Sequence, residues 1–397
     1  MTISSKPAKN ITFLLWRHDS GQIYELENIL NDGNIAPIVF KTNNTIGLPP
    51  AEPITLKVSN KMEQDLYLTE GWNWVSFNVS PRAVDGINSI FINQAGLFSD
   101  DDIIKHVDFA QYNEQNRSWM GTLSKTDYKY VYQIFVKNAG TYKLLGYELP
   151  QDSLTIKVKS GWNDMPYLLQ EAVEINKALS DFQIGDKAKS GDIIKSLDEF
   201  AVAKVNADGT GGSWVGTLKY LTPGKGYYLK HNGDSTSFAY QKNVLLNHSK
   251  PDFGAKPEAS NYEYNMPMIA AFADDVDYQE GDKLAAYVND VKVGETEMTD
   301  GRFFLSINAN DGDVVVLAQE RGGNVMGKSP RTLKYVSNGV VGSIDSPYRV
   351  SFSDDAFDNA DIDMYNLKGM KLNGGQQPLR DVYIINGKKT VRDNVKK

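Results

Sequence analysis

A tandem duplication constrains the fold of this chain more than any other feature of its sequence. Gly71-Trp72-Asn73 recurs as Gly161-Trp162-Asn163, about 90 residues later. Three further blocks recur in the same order: Asp102-Ile103-Ile104-Lys105 with Asp192-Ile193-Ile194-Lys195, Phe109-Ala110 with Phe200-Ala201, and Trp119-Met120-Gly121 with Trp214-Val215-Gly216. Four ordered blocks at a nearly constant offset predict two copies of one domain. We call residues 61–150 repeat 1 and residues 151–250 repeat 2.

Equivalent tryptophans of the two repeats are expected to occupy equivalent places. Trp72 should superpose on Trp162, and Trp119 on Trp214. Each lies in an apolar strand pattern, and aromatic side chains dominate the cores of β-sandwiches. We therefore expect all four to be largely buried.

A weaker similarity links the two ends of the chain. Ile11–Trp16 followed by Ile38–Lys41 resembles Val314–Gln319 followed by Thr332–Tyr335. The stretch that precedes this pattern in the C-terminal copy, 262–307, has no counterpart before Ile11. We therefore expect residues 1–60 to be the second half of a β-sandwich module that is complete at residues 251–352, so that the chain opens in mid-domain. Residues 353–397 remain as an acidic linker and a tail.

Strand signals dominate the whole sequence. Runs such as Trp74–Val79 and Phe303–Ile307 are β-branched or aromatic, and Asp-Gly and Asn-Gly pairs suited to tight turns separate such runs. Helical patterns are few, the best being Gln170–Leu179 and a shorter one near Ile87 to Gln94. The predicted fold class is all-β, with tandem β-sandwich-like domains and minor helical inserts.

Composition excludes several classes of function. With 42 basic and 50 acidic residues the net charge is −8, which argues against a nucleic-acid partner. No apolar stretch approaches the ~20 residues that span a bilayer. The chain has no cysteine, which excludes thiol catalysis and disulfide frameworks, and it has four histidines. Its first residues carry no signal peptide, which we expect upstream if the protein is exported.

One segment resembles a known module. Tyr264–Ala270, Gly281–Asn289 and Gly301–Leu305 are similar to a β-sandwich module of large secreted Bacteroidetes proteins. The Gly-Trp-Asn repeats look like the repeat units that precede this module in such proteins. The chain departs from the module at Val291-Lys292-Val293, where a Cys-Arg pair is common. The resemblance implies export and a surface location rather than a defined activity.

The tail carries a second resemblance. Asp363–Leu372 and Val382–Lys389 are similar to the C-terminal sorting sequence of type IX secretion cargo, with Asp381 where glycine is common. The resemblance implies a secreted or cell-surface protein whose tail is recognised by the secretion machinery. The residues that carry it are Tyr365, Asn366, Gly369, Tyr383, Asn386, Gly387, Lys388 and Lys389.

Three aromatic residues are candidates for ligand binding. The counterpart of Trp74 in repeat 2 is Asp164, a change that an edge or surface position tolerates. Trp74 could therefore present its ring to a sugar, aided by Tyr227 and Tyr228. The alternative is that these aromatic residues belong to the core.

Signals for catalysis or metal binding are weak. The acidic run of Asp354, Asp355, Asp358, Asp361 and Asp363 offers oxygen ligands of the kind Ca²⁺ takes, but it lacks the glycine and the final glutamate of an EF-hand loop. It is better interpreted as a solvated linker. No nucleophile elbow, zinc-protease motif or P-loop occurs, and Asp102 and Asp192 suit helix or turn caps. We predict neither a catalytic residue nor a metal or cofactor.

The sequence favours a non-catalytic surface or secreted region of a larger structural or adhesin-like protein, with a glycan or a host or cell-surface protein as partner. The alternative is a carbohydrate-binding accessory region of a polysaccharide-processing protein. An enzyme with a dispersed carboxylate pair is a third hypothesis, because sequence spacing does not reveal such a pair.

Overall fold

The computed structural model describes residues 3, 7, 9–16, 18, 23–30, 36–46, 53–59, 61–80, 86–91, 96–241, 260–352, 364–365, 371–372, 382–385 and 388–391. The predicted all-β class is confirmed. The chain divides into two compact units, residues 1–62 and 63–397. Within the described residues no helix is both long and apolar enough to cross a membrane.

The first unit contains two small antiparallel sheets. Its strands are β1 (Asn10–Ile11), β2 (Phe13–Trp16), β3 (Ile23–Ile29), β4 (Ile38–Val39) and β5 (Thr55–Val58). β1 pairs with β4, while β3 lies between β2 and β5.

Repeat 1 is built on a five-stranded antiparallel sheet in the order β11-β10-β9-β12-β7, beside a three-stranded sheet in the order β6-β13-β8. Its elements are β6 (Lys61–Leu68), β7 (Gly71–Ser76), β8 (Val79–Ser80), α1 (Ile87–Ile90), β9 (Ile103–Lys105), β10 (Phe109–Asn113), β11 (Ser118–Gly121), β12 (Val131–Val136) and β13 (Gly140–Glu148).

Repeat 2 has the same central sheet. A 3-10 turn (Gln151–Leu154) leads into β14 (Thr155–Val158), β15 (Gly161–Pro166), β16 (Val173–Glu174), α2 (Ile175–Ala178), β17 (Ile193–Lys195), β18 (Phe200–Val205), β19 (Gly212–Gly216), β20 (Tyr220–Leu221), β21 (Gly226–His231) and β22 (Thr236–Ala239). The order β15-β21-β17-β18-β19 matches that of repeat 1 strand for strand. The duplication seen in the sequence is therefore a duplication of topology.

The repeated motifs have the same structural role in both copies. Asn73 closes a turn by accepting the Thr69 N–H and donating to the Thr69 carbonyl, and Asn163 does the same with Lys159. The preceding glycines have φ of +89° and +90°, a left-handed conformation that glycine adopts without strain. The motif is conserved between the copies because it turns the chain into the sheet.

The aspartates of the repeated Asp-Ile-Ile-Lys block anchor turns. Asp102 accepts the Ser99 and Lys137 N–H groups, and Asp192 accepts those of Lys189 and Asn232. Burial raises the pKa of Asp102 above its usual value. The predicted turn-capping role is confirmed, and a helix-capping role is excluded because each aspartate precedes a strand.

The best helical pattern of the sequence, Gln170–Leu179, forms one short helix. Val173 pairs with Leu221 in β20, so only the last part of the pattern is helical. Glu174 caps α2 by accepting the Lys177 N–H. Strand pairing within the repeat overrides the helical periodicity of the first half.

The C-terminal module is a sandwich of two sheets that share strand β25. Its strands are β23 (Met266–Phe272), β24 (Lys283–Val288), β25 (Val291–Thr299), β26 (Arg302–Ile307), β27 (Val314–Arg321), β28 (Asn324–Lys334) and β29 (Tyr348–Val350). The order is β28-β27-β24-β25-β26-β23-β29, with β23 and β29 parallel and the other pairs antiparallel. Met268, Phe303 and Leu317 are among the buried residues of its core.

The first unit and this module each contain an antiparallel pairing near the segments that resemble each other in sequence. The Phe40 N–H donates to Lys9 O at 2.8 Å, and the Tyr335 N–H donates to Asp313 O at 2.9 Å. The first bond extends the pairing of β1 with β4, and the second extends the pairing of β27 with β28. The last strand differs: β29 pairs with β23, whereas β5 pairs with β3. The described residues of the first unit include no counterpart of β23, and β5 occupies the edge of β3 instead.

The tail contributes two short antiparallel pairs. They join β30 (Met364–Tyr365) with β31 (Lys371–Leu372), and β32 (Val382–Ile385) with β33 (Lys388–Val391). Tyr365, Tyr383, Lys388 and Lys389 lie in these strands. Asn366, Gly369, Asn386 and Gly387, like the acidic run 354–363, lie outside the described residues.

Candidate functional site

Two equivalent lysines mark the most unusual environment in the second unit. In β9 and β17 the side chains alternate, so that Ile104 and Ile194 are fully buried in the repeat cores. Lys105 and Lys195 end these strands on the opposite side of each sheet, which we call the outer face. The Lys105 Nζ lies 4.7 Å from the ring centroid of Trp72, and the Lys195 Nζ lies 4.8 Å from that of Trp162. The duplication has thus preserved a lysine stacked on a tryptophan.

The two lysines differ in what they bind. Lys105 forms a half-exposed ion pair with Glu263, at 2.8 Å. Lys195 is fully buried and donates to the backbone O and side-chain Oδ1 of Asn265, at 3.1 and 2.8 Å, and to Asn338 Oδ1 at 2.7 Å. Its partners belong to the C-terminal module, so Lys195 joins repeat 2 to that module.

Repeat 1 reaches the same point through Trp74. The Lys195 Nζ lies 5.2 Å from the Trp74 ring centroid, and the Trp74 indole N–H donates to Glu263 O at 2.9 Å. Three domains therefore meet around one amine. We call the set Trp74, Trp162, Lys195, Asn265 and Asn338 the lysine joint.

Burial lowers the pKa of Lys195 well below its usual value, and the nearby Lys230 adds to the shift. Removing a charged amine from water is costly unless polar groups replace its hydration. At the joint, oxygen atoms of Asn265 and Asn338 and the faces of two indoles supply such groups. This arrangement requires the three domains to hold one geometry.

The segment that enters the C-terminal module lies along the outer face of repeat 1. The backbone N–H of Trp72 donates to Ser260 O at 2.7 Å, and the Tyr264 hydroxyl donates to Gln133 Oε1 at 3.3 Å. Asn265 also donates to the carbonyls of Ser196 and Leu197 in repeat 2. One short segment thus bonds to both repeats before β23 begins.

An apolar contact extends the joint across the outer face of repeat 2. Phe200 and Val202 are fully buried there and belong to one cluster with Ile269 and Phe304 of the module. The Phe200 and Phe304 rings meet edge to face with centroids 5.7 Å apart. The module is therefore fastened to repeat 2 by a polar joint with an apolar contact beside it.

Trp74 lies on β7, an edge strand of its sheet, so the predicted edge position is confirmed, but the alternative surface position is wrong. Its side chain is 4% exposed and meets the Tyr228 ring edge-on at 4.8 Å. Repeat 2 has Asp164 at the equivalent position. The two repeats face each other here: Trp74 of repeat 1 contacts Tyr228 of repeat 2, and Asp164 of repeat 2 is hydrogen-bonded to His106 of repeat 1 at 3.0 Å. The difference between the copies therefore reflects their contact with each other.

The two tyrosine candidates are covered to different extents, since Tyr227 is buried and Tyr228 is partly buried. Tyr227 is buried in the core of repeat 2, where its hydroxyl accepts the Thr222 N–H at 2.8 Å. Tyr132 accepts the Asp127 N–H in the same way in repeat 1. Burial raises the pKa of Tyr228 far above its usual value, because its ring lies in the contact between the repeats. Neither tyrosine presents its ring as an open platform.

The repeated tryptophans follow the prediction in part. Trp119 and Trp214 are each 5% exposed and occupy equivalent core positions. Equivalent asparagines, Asn88 and Asn176, accept their backbone N–H groups. Trp72 and Trp162 hold equivalent positions but are only half-buried, because they lie on the outer face beneath the lysines.

One acid–base pair is fully enclosed. His231 Nδ1 lies 2.7 Å from Asp192 Oδ2, and its Nε2 lies 3.0 Å from Asp234 O. Both ring nitrogens face oxygen atoms and both side chains are buried, so the pair has a structural role beside the turn that Asp192 anchors. No group of three or more acidic or histidine side chains suited to a metal ion occurs among the described residues.

Sequence reasoning missed the lysine joint. Lys195 stood in a repeated block, but the block was interpreted through its aspartate. Asn265 lay within the resemblance to the sandwich module, and Asn338 carried no signal. One signal was available in the sequence. In both repeats a lysine follows two isoleucines, and aromatic residues occur in the strands predicted on either side.

Comparisons of the chain with protein-family models, with curated proteins and with solved structures found no match.

Proposed function

We propose that this chain is a non-catalytic structural or adhesin-like region of a larger secreted or surface protein. The observation that carries the proposal is the lysine joint, in which a buried amine of repeat 2 is held between Trp74 of repeat 1 and Asn265 and Asn338 of the module. A chain that acts as a spacer or display scaffold needs domains held in fixed relation, and this joint supplies that relation.

A misplaced polar group at the lysine joint would cost free energy. If the module shifted on repeat 2 while the contact stayed closed to water, the amine and the amide oxygens would lose partners and remain buried beside Phe200 and Phe304. Unpaired buried polar groups cost about 1–3 kcal/mol each. A polar network inside an apolar contact therefore favours one arrangement over many similar ones.

The aromatic candidates support a structural role. Trp74, Tyr227 and Tyr228 pack within or between the domains, where they contribute burial and hydrogen bonds. Secretion through the tail, with the secretion machinery as its partner, is part of the same proposal. It rests on the resemblance of the tail to type IX sorting sequences.

Domain rigidity can be measured directly because the chain has no native cysteine. Spin labels at Tyr67→Cys in repeat 1 and Val325→Cys in the module would use two exposed positions. We expect pulsed electron paramagnetic resonance to give one narrow distance distribution in the otherwise native chain. Lys195→Ala should broaden it, whereas the control Lys204→Ala, at an exposed position of β18, should not. A broad distribution in the native chain would contradict a rigid scaffold.

Activity and binding are tested on the full chain. We expect no turnover in a broad panel of glycosidase and peptidase substrates. Specific turnover that is lost in a single carboxylate variant would overturn the proposal. A specific signal on a glycan array would instead favour the carbohydrate-binding alternative, and its loss on substitution of an exposed tyrosine would locate the site.

A further inference from the structure

The outer faces of the two repeats have the same residue pattern but different surroundings. In repeat 2, Ile193, Phe200 and Val202 are 3%, 0% and 1% exposed beneath the module. The equivalent residues of repeat 1 are Ile103, Phe109 and Gln111, and the Phe109 side chain is 52% exposed. Met120, the equivalent of Val215, is 54% exposed on the neighbouring strand. We call Ile103, Phe109, Gln111 and Met120 the repeat 1 face.

The repeat 1 face continues an interface that already exists. Phe109 is paired in register with Lys105, and Lys105 binds Glu263 of the segment that crosses repeat 1. The open apolar surface thus begins where the covered part of the same sheet ends. In repeat 2 the corresponding residues Ile193, Phe200 and Val202 are covered by the module, and Val215 is partly buried beside them.

The polar groups of the repeat 1 face are already paired within the chain. Gln111 donates to Asp101 Oδ1 at 2.8 Å, Asp101 also binds Lys137 at 3.0 Å, and Lys105 is neutralised by Glu263. A partner that covered Phe109 and Met120 would therefore meet Gln111, Asp101 and Lys105 with their own partners already in place. Burying a charged group without a partner is strongly unfavourable.

We propose that the repeat 1 face is a dimer interface and that its occupant is the same face of a second copy of this chain. A two-fold axis places one patch against itself, so Phe109 of each copy would meet the apolar centre of the other. The resulting aromatic contact is of the type that Phe200 makes with Phe304. In each copy the Phe304 surface is already buried against repeat 2, so it is not free to cover repeat 1 of another chain.

The association takes place face to face rather than by strand addition. β11 is the outermost strand of its sheet, and Asn88 bonds both the N–H and the carbonyl of Trp119 on this strand. An edge whose backbone groups are occupied by a side chain offers less to an incoming strand. The exposed side chains of the face are what remains for recognition.

Sedimentation of the full chain over a range of concentrations tests the proposal. We expect a reversible monomer–dimer equilibrium. Phe109→Ser should weaken it by about tenfold or more, a change of about 1.4 kcal/mol. Tyr67→Ser is the matched control, because Tyr67 is 72% exposed on β6, and it should leave the equilibrium unchanged. A native chain that remains monomeric throughout, or a dimer that Phe109→Ser does not weaken, would overturn the proposal.

Disulfide trapping gives a second test that does not depend on the folding of Phe109→Ser. A single Met120→Cys in this cysteine-free chain should form covalent dimers on mild oxidation, since a two-fold interface brings residues near its axis together. Tyr67→Cys provides the background level. Equal yields from the two variants would overturn the proposal.

Discussion

The Lys195 ammonium nitrogen lies 2.8 Å from the side-chain oxygen of Asn265, in a place closed to water. This contact joins a strand of repeat 2 to the first residues of the C-terminal module. Because Trp74 of repeat 1 lies over the same amine, one hydrogen-bonding centre holds three domains. The equivalent lysine of repeat 1 is partly exposed and binds a carboxylate, so the duplication has produced two related lysines with different partners and different burial.

The pH dependence of stability should report the buried amine. Burial lowers the pKa of Lys195 in the folded chain, so between that value and the ordinary lysine pKa the unfolded chain binds more protons. Stability contributed by this group therefore rises with pH in that window. We expect the native chain to gain stability relative to Lys195→Met between pH 7 and pH 9 in urea unfolding. Lys204→Met, at an exposed position, should track the native chain, and equal slopes for all three would contradict the prediction.

Glu199 should produce the opposite trend at lower pH. Burial, with a smaller contribution from Asp198, raises the pKa of Glu199 to about 7 in the folded chain. Its contribution is fully present below the unfolded pKa and is lost as pH rises through about 7. We expect Glu199→Gln to lose less thermal stability than the native chain between pH 5 and pH 8. The exposed control Glu171→Gln should behave like the native chain, and a matching loss in Glu199→Gln would argue against the raised pKa.

Equivalent core tryptophans should contribute similarly to stability. Trp119→Ala and Trp214→Ala each remove a large ring from a buried site, and such deletions cost about 3–5 kcal/mol. Denaturant unfolding measures the loss, with Tyr67→Ala as an exposed control expected within about 0.5 kcal/mol of the native chain. A much smaller loss at Trp119 would mean that its ring is not part of the core of repeat 1.

Removal of the tail should separate export from folding. Deletion of Met364–Lys397 is expected to abolish surface display in the cell that makes the protein. The melting temperature of the remaining chain should change little, because the cores of the repeats and the module lie before this point. Protease accessibility on intact cells measures display. Unchanged display after the deletion would show that the tail is not the sorting signal.

Local motifs of the sequence were interpretable because they act within one repeat. Gly71 and Asn73 turn the chain into β7, and Asp102 anchors the turn before β9, in contacts that span few residues or one sheet. Similar contacts recur at Gly161, Asn163 and Asp192, so both copies indicated the same turn structure. The burial of Trp74 was not predicted because its hydrogen-bond partner, Glu263, lies far away in the chain.

The sequence by itself determined that the protein is all-β and that two repeats share one strand order. These properties depend on alternation, turn chemistry and repetition, which are local or recur at a constant offset. Only the tertiary structure decided that Lys195 is buried, that Trp74 is covered, and that Phe200 is enclosed while Phe109 is open. Equivalent residues differ there because their surroundings come from other domains, and packing between domains is encoded in no single stretch of the chain.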